Sequence, residues 1–63
     1  MYNYGFKFLY REKEGDEQKF DYFFFSLDTD NQEKAFDHAE VLMLKFLKKH
    51  DYFSGKVIKV VKC

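Results

Sequence analysis

Sixty-three residues make one domain and leave no room for a second core. The single cysteine is the last residue, so no intrachain disulfide can staple so short a chain, and dense aromatic packing or a partner must do that work. Eleven acids balance eleven bases, which removes any global electrostatic pull toward nucleic acid.

Residues 2–10 alternate Tyr2, Tyr4, Phe6, Phe8 and Tyr10 with Asn3, Gly5, Lys7 and Leu9, the period of a half-buried strand. Residues 11–18 are polar around Gly15-Asp16, and that pair predicts a two-residue type II′ hairpin turn. Such a turn sets a register: Tyr10 opposite Asp21, Phe8 opposite Phe23, Phe6 opposite Phe25. Lys19 to Leu27 forms the second strand, with four phenylalanines and a tyrosine in nine residues. In this register Tyr4, Phe6, Phe8, Phe23, Phe25 and Leu27 collect on one face as a core. Phe20, Tyr22 and Phe24 share the other face with Lys7, Leu9 and Arg11. A slip of one residue would exchange the second strand's two sets of rings.

Residues 28–33 read as a helix start, with Thr29 and Gln32, or Asp30 and Glu33, as a capping box. The helix extends to about His50. Ala35, Phe36, Ala39, Leu42, Met43, Phe46 and Leu47 make its apolar stripe, with His50 on the stripe's end and His38 pointing away. Val41 falls opposite the centre of that stripe and Leu44 on its flank, and the two form a secondary candidate contact site. Asp51 to Gly55 reads as a turn broken at Gly55. Lys56 to Lys62 is a β-branched strand, with Ile58 and Val60 on one side and Val57, Lys59 and Val61 on the other. The order is β-β-α-β. It predicts a single α+β domain over residues 1–63: a three-stranded antiparallel sheet in order 2-1-3, with one helix on one face and the other face open.

Charge is unevenly spread. Residues 21–40 carry six acids against Lys34, and residues 41–63 carry six lysines against Asp51. Much of this gradient runs along the helix in the sense that complements its dipole. The N-terminus shows no basic region followed by an apolar run, and no stretch approaches the length of a membrane span. A soluble, cytoplasmic protein without membrane contact is the expectation.

No chemistry of catalysis is recognisable. His38 and His50 lie on different sides of the helix, and Cys63 is terminal, so no metal or other cofactor is expected. Residues 28–39 begin like a calcium loop but lack its glycine, and Ala39 stands where the bidentate glutamate belongs. Ser26, Thr29, Ser54 and Cys63 have no base or orienting partner in the pattern, and the three glycines are too dispersed for a phosphate loop. The expectation is a protein that is not an enzyme. Gly5-Phe6-Lys7-Phe8-Leu9 resembles part of the first ribonucleoprotein motif of RNA-recognition domains, whose sheet aromatics stack on bases. The likeness covers five residues. Tyr4, Lys7 and Arg11 depart from that motif, and Phe6 and Phe8 face the helix, so it assigns no family.

The candidate surface is therefore the helix-free face: Lys7, Leu9, Arg11, Phe20, Tyr22, Phe24, Val57, Lys59 and Val61. Exposed rings beside Arg and Lys are what protein-interface hot spots are made of. The reading is a non-enzymatic protein-binding module, an inhibitor or adaptor that docks this face on a larger host protein. In architecture alone, a proline-free domain this small resembles phage- and mobile-element-encoded inhibitors of the anti-CRISPR or anti-toxin kind. A homodimer through the same face or a strand edge, and single-stranded nucleic acid stacked on the three rings, are the alternatives.

Overall fold

The structure, a computed structural model, describes all 63 residues. Strands β1 (Tyr2–Arg11) and β2 (Lys19–Leu27) form a hairpin, helix α1 (Gln32–His50) crosses back, and β3 (Ser54–Lys62) returns beside β1. The sheet order is β2-β1-β3 with both pairings antiparallel, as the chain order predicts.

The hairpin register differs from the expected one by two residues. Phe6 pairs with Phe23, Phe8 with Asp21 and Tyr10 with Lys19. The turn is not a two-residue II′ turn on Gly15-Asp16. Instead the Asp16 N–H donates to the Lys13 carbonyl at 3.1 Å, and Gly15, with φ of 85°, takes the third position, as a type II turn requires. The loop is correspondingly longer. Its base is closed by an ion pair between Lys19 Nζ and Glu12 Oε2 at 2.9 Å. A displacement of two preserves side-chain parity, so the division of rings between the faces stands despite the error in register.

A second departure does change a face. Lys7 pairs with Lys59 but Phe8 pairs with Val57, so Ile58 is the extra residue of a β-bulge. The bulge reverses the parity of β3 across it. Val57, expected on the open face, is buried in the core; Ile58, expected in the core, is exposed. Lys59 and Val61 stay on the open side.

The cap of helix α1 falls one residue beyond Asp30 and two beyond Thr29, the two expected cap positions. Asn31 is the N-cap, its Oδ1 accepting from the N–H groups of Glu33 (2.9 Å) and Lys34 (3.2 Å). Thr29 Oγ1 instead accepts from the Asn31 N–H. Asp51 ends the helix in the left-handed region, φ 55°, with its N–H bonded to the last-turn carbonyls. Gly55 therefore does not break the chain. It sits inside β3 opposite Tyr10, where an added Cβ would meet Leu47 Cδ1 at 2.8 Å. The glycine is there to let the helix approach.

The core lies between α1 and the β1–β3 half of the sheet. Tyr4, Phe6, Phe8, Ala35, Ala39, Met43, Leu47 and Val57 are buried. Two alanines on the helix let its backbone settle close to the aromatic strand. Strand β2 meets the helix at its margin, through Phe23 against Phe46 and Phe25 against His38, and these two phenylalanines are only half-buried. His38, expected to point away from the sheet, is thus half-buried with its ring 4.8 Å from that of Phe25. Phe36, expected in the stripe, is exposed at its edge, and His50 stacks on Tyr52 at 5.0 Å. Burial pushes the Tyr4 phenol above its ordinary value, and its hydroxyl donates to the Thr29 carbonyl at 2.7 Å. No helix is long and apolar enough to cross a membrane.

Candidate functional site

The open face is a grid of cross-strand rows. Parity and the two registers define them: Phe24–Gly5–Val61, then Tyr22–Lys7–Lys59, then Phe20–Leu9–Lys56, with Arg11 beyond. Every strand residue that the sequence pattern placed here is on this face except Val57. The bulge brings in Lys56, which sequence alternation hid, because an inserted residue leaves no mark in a Lys/Val/Ile pattern.

Gly5 organises the first row. It is a glycine within an otherwise aromatic strand, the one sequence signal of close approach on this face. A Cβ built there would lie 2.9 Å from Phe24 Cε1, so the phenylalanine ring reaches across the sheet over the bare backbone. The ring nevertheless stays 75% exposed, with Phe20 at 57% and Tyr22 at 52%. Phe20 and Tyr22 meet edge to face at 5.9 Å, and the Lys7 ammonium lies over both, 4.6 Å from the Phe20 centroid and 5.7 Å from that of Tyr22. Between these rows is a shallow depression of about 140 Å³, walled by Tyr22, Phe24 and Val61, floored at Gly5 and Phe6, and flanked by Lys7 and Lys59.

The electrostatics of this face are one-sided. Lys7, Arg11, Lys56 and Lys59 are presented on it, and none of them is in an ion pair, the one salt bridge being Lys19–Glu12. No Asp or Glu occupies an open-face position of any strand; β2's only acid, Asp21, belongs to the opposite parity. Lys7 and Lys59 stand directly opposite each other, a like-charge pairing that works against the sheet. A net-neutral chain has thus set four cations on one aromatic surface without a counter-charge.

The side chains with displaced pKa values lie elsewhere. The Lys19 ammonium holds the Glu12 carboxyl below its ordinary value, the same hydrogen bond raises Lys19, and burial raises Tyr52 beside them. No three His, Cys, Asp or Glu side chains converge as metal ligands would. The second depression, between Leu27–Thr29 and the Lys34–Val41 part of the helix, is wider and more polar and carries acids and bases together. Val41 borders it and Leu44 does not; both are exposed, and three residues apart on the helix they are neighbours on its outer surface, away from the open sheet face.

No protein-family model matches the chain, and no curated protein or solved structure does either.

Proposed function

We propose that the chain is a non-enzymatic protein-binding module that docks its open sheet face on an acidic surface of a larger protein, as an inhibitor or adaptor does. The observation that carries this reading is the Lys7–Lys59 pair. Two like-charged residues are paired across β1 and β3, the Lys7 ammonium leaning over Phe20; the pairing works against the free sheet, and an anionic group bound beside both lysines offsets it. The depression beside the pair has apolar walls and a cationic rim, which suits a partner side chain that buries carbon and ends in a carboxylate. Tyr22 and Phe24 are the anchors, large and exposed, and Leu9 and Val61 extend the apolar contact. Action is by occupancy: a face this shallow covers a surface and does not enclose a substrate.

Single-stranded nucleic acid is less well served. Phe20 and Tyr22 are perpendicular to each other and Lys7 already covers both, so they do not offer successive parallel platforms for bases.

The test compares capture from host lysate by the wild-type chain, by Phe24→Ala, by Lys59→Glu and by the helix variant Leu44→Ser, with oligonucleotide binding measured alongside. The reading requires a captured acidic protein that Phe24→Ala and Lys59→Glu both lose and Leu44→Ser retains. Capture indifferent to the open-face changes overturns it. Tight binding of mixed single-stranded oligonucleotides, falling steeply with salt, replaces it with the nucleic-acid reading.

A further inference from the structure

The two edges of the sheet are defended unequally. Along β3 the bulge at Ile58 breaks the run, three lysines punctuate it, and Gln32 Nε2 donates to the outward Val60 carbonyl at 2.9 Å. Along β2 there are nine paired residues with no bulge, no proline and one cation, at the first position.

Alternation of the ladder fixes which β2 groups face outward. Asn3 accepts from the Cys63 N–H, so odd-numbered β1 residues bond toward β3 and even-numbered ones toward β2. The β2 residues opposite those, Asp21, Phe23 and Phe25, are satisfied within the sheet. Phe20, Tyr22, Phe24 and Ser26 turn their N–H and C=O groups out. One of these donors is already occupied: the Tyr22 N–H bonds to Asp21 Oδ1 at 2.8 Å.

We propose that this edge pairs with the same edge of a second copy of the chain, antiparallel about a two-fold axis at Phe23, to make a continuous six-stranded sheet. Three observations select a second copy as the occupant. The strand is self-complementary in that register: Tyr22 meets the partner's Phe24, Lys19 meets Leu27 and Asp21 meets Phe25, so no like charges oppose each other. The chain alone is thinly stabilised. Nine of its 63 residues are buried, it has no disulfide, and Phe23 and Phe25 remain half-exposed on the helix side of β2, where an added strand shields them. A two-fold axis perpendicular to the sheet also leaves both open faces on one side, free and contiguous. Docking of an acidic protein and edge pairing are therefore independent properties of different groups. In the free chain Asp21 is a plug on the edge; on pairing, its carboxylate yields the Tyr22 N–H to the incoming Phe24 carbonyl.

Sedimentation equilibrium across micromolar to millimolar concentration tests this. The wild-type mass should rise from 7.7 kDa toward twice that value. A chain made by chemical synthesis with an N-methyl group on the Phe24 amide keeps every side chain and every internal hydrogen bond, and it should stay monomeric with an unchanged helical circular dichroism spectrum. Asp21→Ala, which removes the plug from both chains, should tighten the dimer by roughly 25-fold, the worth of two competing hydrogen bonds. A wild-type monomer at every concentration overturns the proposal, as does a dimer that survives N-methylation. Should the N-methylated chain lose its helical signal, Asp21→Ala decides: a tighter dimer supports edge pairing, and an unchanged or weaker one refutes it.

Discussion

The two faces of this sheet are built from the same residue types and do different things with them. On the helix side, Phe6 and Phe8 are buried, within ring contact of Phe23 and, for Phe8, of Phe46. On the open side, Phe20, Tyr22 and Phe24 carry the same kind of ring, one residue out of phase, into water beside unpaired cations. Hydrophobicity does not distinguish the two sets. What separates them is where the helix lies and which side carries charge. An aromatic ring is a fold element only when apolar surface covers it, and on the open side the chain supplies only the Lys7 side chain over Phe20 and Tyr22.

Truncation breaks this comparison most sharply. Phe8→Ala should cost about 3–5 kcal/mol, the usual range for emptying a buried phenylalanine site. A domain of this length holds on the order of 3–9 kcal/mol in total, so the variant should be largely unfolded in urea titrations that leave the wild type folded. Phe24→Ala should change stability by about 1 kcal/mol or less, since the ring is three-quarters exposed, yet weaken partner binding by about 2 kcal/mol or more. If Phe24→Ala unfolds the chain as Phe8→Ala does, the open face is core and the functional reading fails.

Two glycines sharpen the contrast at a smaller scale. A Cβ at Gly55 meets Leu47 at 2.8 Å and the Leu9 carbonyl at 3.2 Å, both held in the packed interior, so Gly55→Ala should destabilise by about 1–3 kcal/mol. A Cβ at Gly5 meets only the exposed Phe24 ring at comparably short range, and that ring is free to swing away. Gly5→Ala should therefore move the urea midpoint little, by less than about 1 kcal/mol, while displacing Phe24 and weakening partner capture. The same methyl group tests rigidity on one face and recognition on the other.

The faces were legible in the sequence for a specific reason: alternation survives any even error in register. The hairpin turn departs from its local pattern: Gly15-Asp16 satisfies a two-residue II′ rule, whereas the loop uses Gly15 one position later and is closed by Glu12 and Lys19 across it. No local rule sees that ion pair. The bulge at Ile58 was illegible for a different reason. Val57, Ile58, Val60 and Val61 are interchangeable in β propensity, so the pattern cannot say which of them is extra. Its consequence for the site was to remove Val57 and supply Lys56, which strengthens the excess of positive charge. The helix cap lies one or two residues past the expected positions because residues 28–32 offer five polar side chains, and Asn31 caps through geometry rather than identity.

Paired and unpaired lysines give the finest test of the two regions. Lys19 raises stability through Glu12, whose folded-state pKa is lowered; the contribution is complete above the ordinary carboxyl value of 4.5 and is lost as pH falls through the lower folded value. Lys19 itself has a raised pKa, so the same bond is intact below 10.5 and is lost as pH rises through the higher folded value. Glu12→Gln should accordingly lower stability at neutral pH and flatten the acid limb of the thermal-unfolding profile. Lys59 has no such partner and faces Lys7. Lys59→Met should leave the acid limb alone and raise stability slightly at low salt, by about 0.2–1 kcal/mol, with the gain fading as salt screens the pair. That gain is the signature of a charge kept for something outside the fold: a lysine whose removal stabilises the free protein is retained against stability. If Lys59→Met instead destabilises the chain as Glu12→Gln does, the open-face cations are structural, and the case for an anionic partner loses its main support.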